Sequence, residues 1–355
     1  MQELIEKLET QRALSPEDWH TLLQDRSPQT MEAVWERARA VRIARFGNAV
    51  YIRGLIEFTN HCKNDCYYCG IRRSNGNADR YRLTNEEILS CCREGYRLGF
   101  RTFVLQGGED PFFTCAKLCA LVRAIKVAHP DCAVTLSVGE RPREEYEALY
   151  QAGADRYLLR HETADDRHYR TLHPAALSPQ LRKACLKNLK EIGYQVGCGF
   201  MVGSPGQTTK QLVQDMLFLQ EFQPDMVGIG PFIPQTDTPL GDRPAGDLTL
   251  TLYLLGLVRL LLPDVLLPAT TALGSIHPRG REEGILAGAN VVMPNLSPPG
   301  AREKYTLYDN KLTTGAEAAE SLADLRRRVE EIGYQLSMSR GDHPSRMQHK
   351  RGSDV

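Results

Sequence analysis

Residues 59–73 read Thr59-Asn-His-Cys62-Lys-Asn-Asp-Cys66-Tyr-Tyr-Cys69-Gly-Ile-Arg-Arg73, and a hydrophobic run over 51–58 comes just before them. Three cysteines at spacing C-x3-C-x2-C thus occupy one short loop at the end of an apolar segment. Three thiolates can hold three irons of a [4Fe–4S] cluster. Ferredoxin-type clusters use four protein ligands, so a missing fourth leaves one iron open to a ligand that reacts. The competing reading is a zinc site, which normally wants four ligands. No further Cys/His pair lies at finger spacing, and His61 points elsewhere if its neighbour Cys62 binds.

Outward from this loop the chain alternates between short apolar runs and amphipathic stretches. The runs are 51–58, 102–105, 133–138, 156–159, 195–202, 226–231, 266–271 and 290–294. Between them lie helical patterns over 85–98, 116–128, 143–152, 178–192, 209–222, 248–261 and 281–287, with a last one over 316–332. Strands that are apolar throughout are covered on both faces. Strand–helix alternation implies parallel pairing with right-handed crossovers. Eight units predict an α/β fold, a (β/α)8 TIM-type barrel, with an open partial barrel as the near alternative. Polar and glycine-rich residues follow the runs: Gln106 to Pro111, Gly139-Glu140, Arg160 to Thr163, Gly203 to Thr208, Phe232 to Pro234, Thr270 to Ala272 and Pro294-Asn295. Barrel enzymes keep their chemistry at the C-terminal ends of the strands, so the site is expected at that mouth, with the cysteine loop on its rim.

Ser15-Pro16 and Ser27-Pro28 each put a cap before a proline at the first helical position, predicting helices in an N-terminal segment, 1–50, laid against the barrel. The barrel is expected over 51–338. The tail, 339–355, is poor in apolar residues and is expected to be disordered or loosely attached.

Lys+Arg and Asp+Glu both number 44, so charge gives no argument for nucleic acid or an anionic membrane. The longest apolar candidate, 248–262, contains Arg259 and is too short to span a bilayer. The charged N-terminus has no apolar signal region, and the expected location is cytoplasmic. In a reducing compartment ten cysteines argue for metal binding or burial rather than disulfides. Seven of them, Cys91, Cys92, Cys115, Cys119, Cys132, Cys185 and Cys198, read as small buried or helical residues.

With aromatic Tyr68 before its last cysteine, the Cys62–Cys69 motif resembles the radical S-adenosylmethionine (SAM) enzymes. The resemblance implies that the open iron chelates SAM and that the reduced cluster cleaves it to methionine and a 5′-deoxyadenosyl radical. Gly107-Gly108-Glu109 looks like the superfamily's second motif, whose glycines let backbone carbonyls reach the SAM amino group; the bland alternative is a plain turn. Glu162 suits a ribose or amino group of SAM, and Arg160 and Arg182 suit a carboxylate. A structural Arg–Glu pair on the rim is the alternative for Arg160 and Glu162.

Longer blocks narrow the likeness: Ile56 to Asn60, Arg80 to Thr84, Leu105 to Pro111, Arg156 to Thr163, Met226 to Pro234, Pro268 to Ala272 and Val292 to Asn295 resemble the HydE-type [FeFe]-hydrogenase maturases. That family processes a sulfur-ligated iron precursor bearing CO and cyanide. The resemblance implies that Ser137, Glu162, Arg182 and Tyr305 touch SAM or a neighbouring ligand. It implies that Arg156, Thr270, Thr271, Met293 and Tyr308 line the interior where substrate sits. It also implies a small organometallic or amino-acid-derived substrate, an electron donor such as a ferredoxin or flavodoxin, and other hydrogenase maturases as partners. Some members carry a second cluster on cysteines beyond the eighth strand. This chain has no cysteine after Cys198, so one [4Fe–4S] cluster is expected. The alternatives are an amino-acid mutase like methylornithine synthase and a non-catalytic iron–sulfur scaffold.

Overall fold

The computed structural model describes residues 1–314 and 319–346. Its strands are β1 (Ala49–Ile52), β2 (Gly54–Thr59), β3 (Thr102–Gly107), β4 (Ala133–Ser137), β5 (Arg156–Leu158), β6 (Gln195–Cys198), β7 (Met201–Val202), β8 (Met226–Val227), β9 (Gly230–Pro231), β10 (Val291–Val292) and β11 (Gln335–Ser337). Six of them pair in parallel in the order β2-β3-β4-β5-β6-β8. The ring closes through single bridges, Met226↔Leu266 and Pro268↔Val291, and through Leu55↔Asn295 back to the first strand. All eight apolar runs therefore have a place in one closed parallel barrel. The seventh forms no ladder; it is joined by those single bridges and by the Leu267 amide to Asn290 Oδ1.

Three runs are broken in the middle. The first is divided at Arg53 into β1, which pairs with β10 and β11, and β2, which pairs with β3. The fifth is interrupted at Gly199, where φ is +151° and an added Cβ would lie 2.0 Å from the Gly228 carbonyl oxygen. The sixth breaks opposite it, at Gly228-Ile229.

Helices wrap the outside, and Ser or Thr caps start several of them. Ser15 accepts from the Asp18 amide at 3.1 Å. Thr84 and Glu87 form a reciprocal capping box. Of the N-terminal helices, Pro16–Gln24 lies on Thr209–Phe222, where the Trp19 indole donates to Gln220 Oε1 at 3.1 Å. Pro28–Phe46 covers Leu248–Leu261, and Trp35 donates to the Leu252 carbonyl. That cover explains why Leu248–Leu261 is apolar nearly all round: it is buried between Pro28–Phe46 and the barrel. No helix among the described residues is long and apolar enough to cross a membrane.

The end of the chain departs from expectation. Of the expected helix 316–332, residues 316–318 lie outside the described residues, and the helix runs over Leu322–Glu331. The tail expected to be loose is docked as far as residue 346. Arg340 pairs with Asp155 at 2.8 Å, and Asp342 pairs with Arg156 at 2.6 Å. His343 donates its amide to Gln195. These contacts seal the end of the barrel opposite the cysteine loop. The rest of that tail, 347–355, lies outside the described residues.

Candidate active site

The cysteine loop leaves β2 and is pinned from several directions. Arg80 donates to four carbonyls of this region, those of Asn60 and Ile71 at 2.6 and 2.9 Å and of Arg72 and Asn75 at 2.6 and 3.1 Å. The Lys63 amide bonds the Glu109 carbonyl, and the Gly70 amide bonds the Leu307 carbonyl, both at 2.9 Å. Two close approaches demand glycine: a Cβ on Gly108 would lie 2.2 Å from the His61 carbonyl oxygen, and one on Gly70 would lie 2.0 Å from that of Thr306. Tyr68, inside the motif, donates its hydroxyl to His173 Nε2 at 3.3 Å. His173 Nδ1 faces the Tyr169 carbonyl at 3.0 Å, which fixes the tautomer that accepts from Tyr68.

Cys62, Cys66 and Cys69 look into a cavity of about 340 Å3 at the C-terminal end of the strands. Burial raises all three thiols: Cys69 to about 12, with the neighbouring Cys62 adding to it, and Cys66 well above the ordinary thiol range, with Cys69 and Cys62 adding. No three His, Cys, Asp or Glu side chains among the described residues gather closely enough for a single metal ion. The remaining seven cysteines are free and mostly buried.

The same cavity is lined by Gly107, Gly108, Glu109, Ser137, Arg160, Glu162, Arg182 and Tyr305, and by Thr270, Thr271, Met293 and Tyr308. Arg156 is the exception. It sits at the start of β5 with its side chain at the sealed end, bonded to Thr102, the Arg340 carbonyl and Asp342. A strand's first residue lies at the opposite mouth from its last, so Arg156 does not line this cavity.

Charge around the cavity is internally paired. Arg160 Nη2 lies 3.1 Å from Glu162 Oε2. Arg182 contacts Glu140, and although burial opposes its charge, that carboxylate holds its pKa above the ordinary arginine value. Glu162 has φ of +65°. A left-handed conformation costs a non-glycine residue about 1–2 kcal/mol. It is enforced by the amide bond of Glu162 to Gly199 and that of Met201 to the Glu162 carbonyl. Behind it, buried His161 faces buried Asp215 at 3.3 Å. Burial lowers the one pKa and raises the other, favouring the uncharged pair.

Sequence reasoning missed Glu57 and Lys311. Their charges meet at 2.7 Å in the cavity wall. An acid inside the apolar run 51–58 was a visible signal for Glu57; Lys311 lies in a stretch without periodicity.

The profile of the Radical SAM superfamily matches residues 56–219. The chain is 46% identical over 331 residues to the [FeFe] hydrogenase maturase subunit HydE of Thermotoga maritima, covering 93% of this chain and 94% of that one. It is 31% identical to a 3-methylornithine synthase of Methanosarcina barkeri, over 90% of this chain and 89% of the other. Among solved structures, methylornithine synthase PylB superposes with a TM-score of 0.81 at 28% identity, over 94% and 97% of the two chains. The maturase HydG shares the fold, with a TM-score of 0.81 at 20% identity, over 99% of this chain and 80% of the other. The cysteine loop and the closed barrel, together with identity at this level over nearly the whole of both chains, show that this chain belongs to the HydE-type [FeFe]-hydrogenase maturase family of radical SAM enzymes.

Proposed function

We propose that the protein acts in assembly of the [FeFe]-hydrogenase diiron cofactor, with one [4Fe–4S] cluster on Cys62, Cys66 and Cys69 and SAM at the cluster's open iron. The observation that carries this reading is the 46% identity to a HydE maturase subunit. The donor set fits the cluster: three partly buried cysteine sulfurs at one end of a cavity suit soft iron–sulfur chemistry. When bound, cluster and SAM supply a one-electron reductive cleavage that generates a 5′-deoxyadenosyl radical.

The chain's own residues then bind, orient and exclude water. Gly107 and Gly108 bring backbone carbonyls to the SAM amino group, beside Glu109. Glu162 accepts from its hydroxyls. Arg160 and Arg182 face its carboxylate, and Ser137 and Tyr305 complete the contact. Thr270, Thr271, Met293 and Tyr308 hold a small organometallic or amino-acid-derived substrate. A protein such as a ferredoxin or flavodoxin supplies the electron. The barrel, 51–338, is the catalytic unit, covered on one side by the helices of 1–50.

The test is reconstitution with iron and sulfide under anoxia, reduction, addition of SAM and assay of 5′-deoxyadenosine. A fully built cluster that never cleaves SAM would sink the enzymatic reading and leave the scaffold. Activation of apo-hydrogenase in a defined maturation mixture separates the maturase from a methylornithine-synthase-like mutase. Cys69→Ala is expected to lose both cluster iron and cleavage.

A further inference from the structure

A second, smaller cleft of about 170 Å3 opens on the outer side of the cysteine loop, lined by His61, Cys62, Lys63, Arg73, Arg80, Arg82, Asp110 and Pro111. Cys62 is the one residue that lines both this cleft and the central cavity, so it stands between them. Cations dominate the rim. The side chains of Lys63 and Arg73 are 55% and 69% exposed, and their nearest carboxylates, Glu109 and Asp65, are largely buried, at 3.3 and 3.9 Å. Arg82 binds Asp110, which is itself out of solvent. Beside the cleft stands Phe112, one of the few large apolar side chains that is exposed, with Lys117 Nζ 3.3 Å from its ring centre and Arg82 on it at 4.9 Å. The whole chain has zero net charge, so this local excess does not follow from composition.

From this juxtaposition we infer that the rim of Lys63, Arg73, Arg82, Lys117 and Phe112 is the docking surface for an acidic one-electron carrier protein, with Cys62 as the point of electron entry. The inference rests on the proposed cluster at Cys62, Cys66 and Cys69. A basic rim around an exposed aromatic residue suits a transient partner: charge steers the encounter, and the ring supplies a small dry contact. In the step served here the carrier loses one electron and the cluster gains it, passing from the 2+ to the 1+ state, with no proton or bond exchanged. Steering between exposed charges is screened within about 8 Å at physiological salt, so the encounter should slow as salt is added.

The test uses reconstituted full-length protein and fully reduced flavodoxin as the acidic probe. Cluster bleaching is followed by stopped flow, and complex formation by flavodoxin anisotropy. Arg73→Glu/Lys117→Glu changes two exposed charges that hold no part of the cavity. Its reduction by flavodoxin is expected to be about 10-fold slower at low salt, with weaker flavodoxin binding and a flattened salt dependence. Photoreduction by neutral deazaflavin should be unchanged. Phe112→Ala is expected to weaken binding while the salt dependence stays. Flavodoxin reduction and binding unaltered in the charge-reversed protein would overturn the assignment, as would wild-type reduction independent of salt. If deazaflavin-reduced protein fails to cleave SAM, the proposed function fails instead, and the binding measurement still judges the surface.

Discussion

Lys311 Nζ lies 2.7 Å from one oxygen of Glu57 and 2.9 Å from the other, and Asn295 donates to that second oxygen. Both charged side chains are almost wholly buried, so the pair ties the segment carrying Tyr305, Leu307 and Tyr308 down onto the first barrel strand. Removing one partner of a buried pair strands the other charge, at about 3–5 kcal/mol. Lys311→Met is expected to destabilise by that order in urea denaturation. Glu57→Gln/Lys311→Met should recover much of the loss. A double variant as unstable as the single one would show that the pair is not coupled.

Glu162 offers the opposite experiment. Its left-handed backbone suits Asn or Gly better than Glu. Glu162→Asn is expected to leave stability unchanged or raise it by up to about 1 kcal/mol, because the strain is relieved. The same variant should bind SAM at least 10-fold more weakly, measured by calorimetry on the reconstituted protein. Unaltered SAM affinity would remove Glu162 from the proposed site.

His173 gives a pH dependence with a definite sign. Burial lowers its pKa to about 3. Above the unfolded value of about 6.5 both states are neutral, and the contribution is fully present. As pH falls below that value, the unfolded chain takes a proton that the folded chain refuses, and stability drops by up to about 1.4 kcal/mol per pH unit. His173→Gln should lose this part of the acid slope between pH 6 and pH 4. Urea midpoints across that range check it, and parallel slopes for the two proteins would refute it.

Asp342 anchors the C-terminal segment to Arg156, whose side chain is fully buried. Asp342→Ala leaves that guanidinium without its carboxylate and is expected to cost about 3 kcal/mol or more. SAM cleavage per folded molecule should be little changed, because Arg156 lies away from the cavity. A loss of cleavage with full cluster content would return Arg156 to the site.

Much of this is legible in the sequence. Glycine, proline and charge punctuation placed eight strand runs, because strands covered on both faces are apolar throughout. The seventh run was detectable by composition although it forms no ladder. The cysteine spacing placed the cavity end, since loop chemistry gathers at one mouth of a parallel barrel. Arg156 was misplaced because a family block marks a strand without saying at which end of it a residue points. Glu57 with Lys311, and Arg340 and Asp342 with Asp155 and Arg156, were missed because each pairs residues far apart in sequence, and neither partner has a local pattern that predicts the other. Arg80 was visible only as part of a block, since a side chain that binds four carbonyls leaves no trace in side-chain chemistry.

The barrel wall is also unevenly stitched. β2 and β3 share a ladder from Gly54↔Phe103 to Thr59↔Gly107, whereas the 266–268 stretch is held by one bridge on each side. Thr270 and Thr271 stand directly above that stretch, in the cavity wall. The barrel thus has one compliant stave two places round the ring from a stiff one, and accommodation of a bulkier guest falls on the threonine side. Amide exchange at Leu266, Leu267 and Ala269, each hydrogen-bonded but held by a single bridge on either side, should accordingly be faster than that of Thr102–Gly107.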